Sequence, residues 1–338
     1  MLRRDFLKTT PHLAAAAGLL GVPSQTSKTT SAASLFRWER IRRDAWVVFN
    51  GGGNVLVIGE REGAVVVDCK INGMGQLLRA EIEARVGPIG AIVITHHHED
   101  HSAGYPAFAG TRAIVHAAAL PRIRERATRQ AGEARDKPKQ LTDDLLAALA
   151  RDFDVPRSAA AEQAIAADLA RIVASDPAVS VPGEHVVDRT ELRVGNTALE
   201  LIHVGPAHTD NDLFVVDRKR GIVHTGDLLF RRYHPFIDVS AGGTIEGWLA
   251  ALRIVRRACD DETVVVAGHG KTARRSALDE QATYFERLRE HVARERAAGR
   301  SREEIVKLAN NRFPAYGFPT EWPANLGVAF DEGARLTK

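Results

Sequence analysis

The chain has two cysteines in 338 residues, Cys69 and Cys259, too few for a disulfide framework. Cys69 follows a strand-like run and Cys259 sits late in an amphipathic helical pattern, so both read as packed free thiols. A single bridge between them stays open for an oxidising compartment. Charge of one sign is also scarce. The formal net charge is +3, but Arg3, Arg4, Lys8 and Lys28 against Asp5 put that whole surplus in residues 1–33. The rest carries 42 basic and 42 acidic residues, and this neutrality removes the electrostatic warrant for a nucleic-acid partner. The apolar run at 13–22 cannot cross ~30 Å of hydrocarbon, so no transmembrane anchor is expected. No Gly-x-Ser-x-Gly turn marks a serine nucleophile, and no internal repeat at a fixed short period is present.

The first residues combine Arg3-Arg4-Asp5-Phe6-Leu7-Lys8, a short apolar segment and the small residues Ser31-Ala32-Ala33. That order is expected of an export signal over 1–33, twin-arginine-like, placing the protein in the periplasm or outside the cell. Short β-branched runs follow at 55–58, 64–68, 91–95 and 112–116, punctuated by Gly51-Gly52-Gly53 and Gly73. Leu78, Ile82 and Val86 recur at helical spacing between the second and third. Residues 120–178 lose the β-branched runs. Thr142 is placed to cap a helix bearing Leu145, Leu149 and Phe153, and a second helix carries Ile165, Leu169, Ile172 and Val173. This stretch reads as a helical insertion, a lid or a dimer contact, whose apolar stripes are too narrow for a core of their own. Strand patterns resume at 185–192, 198–204, 212–217 and 221–225. A helix with Trp248, Leu249, Leu252 and Val255 leads into a strand at 263–267. Helices over 276–298 and 301–310 and a proline-rich tail complete the chain. Two mixed sheets packed face to face with helices outside account for this order, in one domain over 34–275 with residues 276–338 packed on it.

The chemistry concentrates in Thr95-His96-His97-His98-Glu99-Asp100-His101, directly after an apolar strand. Imidazole nitrogens and carboxylate oxygens are zinc donors, and alternation in an extended segment lets His96 and His98 share one metal while Asp100 and His101 turn toward another. Further donors follow later strands in glycine-containing turns: His208 in Gly205-Pro206-Ala207-His208, Asp227 in Thr225-Gly226-Asp227, and His269 in Gly268-His269-Gly270. A surface histidine tract gives no reason for this recurrence, whereas a scaffold aiming ligands into one cleft does. His116, His185, His203, His224 and His291 lie within strand or helix patterns and read as structural.

On these residues the sequence resembles the metallo-β-lactamase superfamily, with its His-x-His-x-Asp-His motif and later His, Asp and His. The resemblance spans about residues 45–275 and implies an αββα sandwich of the α/β (α+β) class. It implies a first metal on His96, His98 and His208, a second on Asp100, His101 and His269, and Asp227 bridging them, with Asp68 in support. An Asp at 227, where the lactamases of the family carry Cys, resembles the glyoxalase II type of dinuclear zinc site. The implied function is a zinc-dependent hydrolase: two Zn2+ share an acidified water that attacks an ester, thioester, lactone or lactam of a small carbonyl substrate. Asp100 then orients the water and takes its proton. Tyr105, His234 and Lys271, with Arg231, Arg232, Tyr233 and Asp238, are candidates for the substrate rim. Two other readings stand beside it. One is a mononuclear iron enzyme of the persulfide dioxygenase kind, since such donors also accept iron. The other is a non-catalytic periplasmic binding protein on the same fold. Substrate, native metal and oligomeric state stay open.

Overall fold

The computed structural model describes residues 34–308 and 311–335; the expected export signal at 1–33 lies outside the described residues. In chain order the elements are β1 (Arg37–Arg42), β2 (Ala45–Phe49), β3 (Val55–Ile58), β4 (Ala64–Val67), α1 (Gly75–Arg85), β5 (Ile89–Val93), α2 (Glu99–Ser102) and β6 (Arg112–His116). Three helices follow, α3 (Leu120–Asp136), α4 (Pro138–Asp152) and α5 (Ala159–Ala174), then β7 (Glu184–Val186). The second half contains β8 (Arg189–Val194), β9 (Thr197–His203), β10 (Leu213–Asp217), β11 (Ile222–His224), α6 (Ile245–Arg257), β12 (Val264–Val266), α7 (Ser276–Ala297), α8 (Arg302–Val306) and α9 (Glu321–Arg335). One sheet has the order β1-β2-β3-β4-β5-β6-β7 and the other β12-β11-β10-β9-β8.

Strand alternation sorts the apolar side chains into layers. In β4, Val65 and Val67 face the space between the sheets, while Ala64 and Val66 face outward against α1 and α5. In β12, Val264 and Val266 face inward and Val265 faces α6 and α7. A period of two in a run of valines therefore gives each sheet two buried faces, and the result is four layers, αββα. Each fully buried aliphatic side chain contributes about 1.5–3 kcal/mol, so the inner layer makes a rigid base for whatever its strand ends carry. Residues 68, 95–101, 208, 227 and 269 all follow the ends of β4, β5, β9, β11 and β12. The pairs β4·β5 and β11·β12 run parallel, so each brings two such ends to one edge of its sheet.

Four local expectations need correction. The run at 185–192 is two strands: β7 pairs with β6 through Ile114↔Glu184, and β8 pairs with β9 through Arg189↔Ile202. A single extended pattern does not reveal the change of partner sheet. Thr142 does not cap a helix, because α4 starts at Pro138 and the Thr142 hydroxyl donates to the Pro138 carbonyl at 2.8 Å. Proline at the first helical position sets the start instead. Val173 is 39% exposed and leaves the buried stripe of α5. The proline-rich tail contains α9, with Pro323 in its first turn, where the missing N–H breaks no helical bond. The helix expected over 301–310 is α8, ending at Val306; residues 309–310 lie outside the described residues. Cys69 and Cys259 are free and buried, in different core clusters. No described helix is long and apolar enough to cross a membrane.

Asp168 is a buried tie between the segment 120–178 and the core, beside the Arg122–Asp210 ion pair and the bond from Arg171 to the Pro106 carbonyl. Helix α1 has no side-chain cap of its own. Asp168 of α5 caps it from outside, accepting from the backbone N–H of Gly73 at 2.9 Å, Gly75 at 3.1 Å and Gln76 at 3.0 Å. Replacing Asp168 with Ala strands these donors in a buried place, so Asp168→Ala should lower unfolding stability by about 2 kcal/mol or more. An unchanged thermal midpoint in the variant would remove Asp168 from this anchoring role.

Candidate metal centre

The centre forms where the two sheets' parallel strand ends meet. At the end of β5, Thr95 is held from both sides: its N–H and hydroxyl donate to the Asp68 carboxylate at 2.8 and 3.0 Å, and its carbonyl accepts from Leu213 of the opposite sheet at 2.8 Å. The chain then turns through His96–His98 into α2, which brings Asp100 and His101 inward. Asp68 and Lys70 both have φ of 69°, a left-handed conformation that costs a non-glycine residue about 1–2 kcal/mol and here turns the Asp68 carboxylate toward Thr95 and His101. Lys70 is buried, and its ammonium donates to the carbonyls of Val48 at 2.7 Å and Gly53 at 2.8 Å, clamping the glycine loop beside the centre. Burial pushes its pKa down to about 7, against the pull of Asp68 and Asp100. Two glycines are required by contact. A Cβ on Gly53 would collide with the His101 ring, and one on Gly268 with the Asp227 carboxylate.

Four of the five histidines have a back nitrogen engaged, which fixes which nitrogen faces the centre. His101 Nδ1 meets Asp68 at 2.7 Å, His208 Nδ1 meets the Phe236 carbonyl at 2.7 Å, His98 Nε2 meets Asp238 at 2.9 Å, and His96 Nδ1 meets the Thr95 hydroxyl at 3.0 Å. The free nitrogens converge in two groups. His96, His98, His208 and Asp227 offer atoms all within 4.8 Å of one another, and so do Asp100, His101 and His269. Asp227 spans them. Its Oδ1 lies 2.9 Å from His101 Nε2, and its Oδ2 lies 3.4 Å from His269 Nε2, 3.5 Å from His208 Nε2 and 3.8 Å from His96 Nε2. His269 Nε2 is 3.1 Å from Asp100.

At the middle of this cage His96 Nε2 makes no hydrogen bond, and Asp227 Oδ1 has only its ion-pair contact with His101 Nε2. An orphaned buried acceptor costs about 1–3 kcal/mol, and a divalent cation between the two groups satisfies both atoms with the N and O donors it prefers. The donor set therefore fits a metal at each group. The charges divide unevenly across the cage. Burial opposes charging His101, but the carboxylates of Asp227, Asp100 and Asp68 hold its pKa well above the usual histidine value, and Asp227 and Asp100 likewise lift His269 to about 9 against burial. Burial pushes His96 well below and His208 down to about 3. Asp100 and Asp227 stay below the usual carboxylate range because these imidazoliums outweigh their burial.

The rim differs from expectation. Tyr105 packs in the core under α1, with burial pushing its hydroxyl up to about 12, and does not line the cleft. His234 is fully buried between the Tyr284 hydroxyl at 2.9 Å and the Asn311 amide at 3.1 Å; it is structural. Arg231 is paired with Glu280. Asp238, grouped by sequence with the rim, instead orients His98. Lys271 lines a cavity of about 230 Å³ beside His269, with Arg37 and Asn54. His116 and His203 stack at 4.0 Å away from the donors. Sequence reasoning missed Thr95, Lys70 and Asn211, whose side-chain oxygen accepts from the His97 N–H at 3.0 Å. The only signal for them is adjacency to the motif.

A two-sheet sandwich that gathers histidines and aspartates at one shared edge defines a class of metal-dependent hydrolase folds. A family model described as the metallo-beta-lactamase superfamily matches residues 48–269, and the chain belongs to that superfamily. Among solved structures, a metallo-beta-lactamase from Pontibacter korlensis is 16% identical with a TM-score of 0.52, covering 74% of this chain and 99% of that one. DIM-1 metallo-beta-lactamase is 15% identical at 0.52, covering 74% and 97%, and TMB-1 is 16% identical at 0.52, covering 75% and 97%. At such identity these likenesses show the fold. No curated protein matches the chain.

Because metal binding needs neutral imidazoles, loading at pH 7 has to displace the protons of His101 and His269. Added Zn2+ should release about two protons per chain at pH 7, and affinity should fall as pH is lowered. Calorimetry in buffers of different ionisation heat reads the number directly; release of none contradicts this charge distribution.

Proposed function

We propose that the protein is a dinuclear metal-dependent hydrolase, zinc its natural ion, that cleaves an ester, thioester, lactone or lactam of a small carbonyl substrate. The observation that carries the reading is Asp227 standing between two complete donor groups, with distances of 2.9–3.8 Å to a histidine nitrogen of each. His96, His98 and His208 would hold one cation, Asp100, His101 and His269 the other, and Asp227 both. Cations there would supply Lewis acidity toward a carbonyl oxygen and a water acidic enough to ionise near neutral pH.

The chain's own residues do the rest. Asp100 lies at the cleft with its carboxylate ionised, placed to accept a proton from the attacking water and return it to the leaving group. Asp68 and Asp238 keep His101 and His98 turned toward the centre, so ligand geometry survives turnover. Lys271, beside His269, is the candidate to meet a substrate carboxylate. An Asp at 227 supports the glyoxalase II-like form of the centre, and the basic start and short apolar run of 1–33 support export to the periplasm or beyond. Intact donors in both groups favour two metals over the mononuclear iron reading.

Asp100→Asn keeps shape and loses the base. On a panel of chromogenic lactam, lactone and thioester substrates, kcat should fall about 10²- to 10⁴-fold while circular dichroism stays unchanged. Undiminished turnover in that variant rejects the assigned proton acceptor.

A further inference from the structure

The donors open into a cavity of about 540 Å³, a size typical of small-molecule sites. Its floor is His98, Asp100, Asp227 and His269, and its walls carry four phenylalanines: Phe153, Phe230, Phe236 and Phe318. Phe230 stacks on the His269 ring at 5.0 Å, and Phe318 meets the same ring edge-on at 5.4 Å. Phe236 stands 5.6 Å from the His98 ring and is 41% exposed, one of few large apolar side chains left open among the described residues. Exposed aromatic surface gathered over a polar floor is the pattern of a ligand site rather than of surface scatter.

The charges in the same cavity give a second, independent constraint. Arg151, its one lysine or arginine among the described residues, is held by Asp152 at 2.7 Å. The remaining charged wall residues, Asp152 and Glu321, are acidic. A carboxylate held among these walls would find no free cation lining this cavity, Lys271 and Arg37 lying in the adjoining one beside His269, whereas an uncharged ring or chain would meet phenylalanine side chains. None of the four rings sits on a strand of the two sheets: Phe230 and Phe236 lie in the loop after β11, and the other two flank α4 and α9. Phe153 ends α4 of the helical segment and is pinned by its carbonyl, which accepts from Gly51 N–H at 2.9 Å. Phe318 lies beyond the family-matched residues 48–269, in the turn before α9.

We propose that this cavity selects carbonyl substrates bearing a bulky, uncharged apolar group next to the bond to be cleaved, and that Phe153 and Phe318 read that group. The proposal rests on the hydrolase reading for its bond-breaking step and not for its binding step. Closure of the two rings on a phenyl-sized group removes apolar area from both sides, and a contact of this kind is worth roughly 10- to 200-fold in discrimination.

The test uses the zinc-loaded full chain and two measurements. In the first, kcat/KM is compared for p-nitrophenyl acetate, phenylacetate and 4-carboxyphenylacetate esters. The phenylacetate-to-acetate ratio should be about 10-fold or more in the wild type and collapse toward one in Phe153→Ala and Phe318→Ala, with partial recovery in Phe318→Leu; the carboxylated ester should lose most of the advantage. In the second, binding of phenylacetone against acetone, neither of which can be hydrolysed, is measured by calorimetry. Phenylacetone should bind about 10-fold or more tighter, and the preference should vanish in the two alanine variants. Absent turnover of every ester with a ring-dependent ketone preference sinks the hydrolase reading and leaves the selectivity standing. A wild type without ketone preference, or one that both folded alanine variants retain, overturns the proposal.

Discussion

Everything in this molecule is arranged around the cost of burying carboxylates and imidazoles in one space. Asp68, Asp100, Asp227, His96, His98, His101, His208 and His269 converge within contact distance at the edge of an apolar sandwich. Such a cluster survives only if each group finds a partner of opposite character. Asp68 serves His101, Asp238 serves His98, the Phe236 carbonyl serves His208 and Thr95 serves His96. What those bonds leave unserved is a set of nitrogens and oxygens aimed at two points either side of Asp227. The same carboxylates that hold up the pKa of His101 and His269 form, with the imidazoles, donor groups that fit divalent cations.

Rigid elements carry that cage and variable ones surround it. The donors sit directly after strands whose alternate side chains fill the inter-sheet core, so their positions inherit the stiffness of β4, β5, β11 and β12. The cleft walls come from the end of α4, from the approach to α9 and from the loop after β11 that carries Phe230 and Phe236. This division separates the chemistry, which the family shares, from the shape of what can approach it. The helical segment 120–178 is thus part of the cleft, tied at Asp168 to α1 and at Phe153 to the glycine loop.

The layers and the converging donors were legible in the sequence because both are written in strong local signals. Period-two valine runs mark strands buried on both faces, and glycine-containing turns after three of the later runs carry His208, Asp227 and His269. The change of sheet between β7 and β8 was not legible, since partner choice leaves no mark within one extended run. Thr142 reads as a cap, but the proline four residues earlier already starts the helix. Helix α9 hid behind Pro319 and Pro323, which read as a tail but suit a first turn. Tyr105 and His234 lie near the motif in sequence and away from the cleft in space. Asp238 shows the converse: chosen as a rim residue, it is the acceptor that orients His98, a role set by a contact 140 positions apart.

The claim beneath all of this is that seven side chains form one two-cation centre joined by Asp227. Metal content after zinc loading and dialysis, read by elemental mass spectrometry on the wild type and on His208→Ala and His269→Ala, tests it most directly. The account predicts close to two zinc ions per chain, falling toward one in either variant, since each removes a ligand from a different group. A wild type that retains a single iron and no zinc, or a two-ion content untouched by both substitutions, contradicts it.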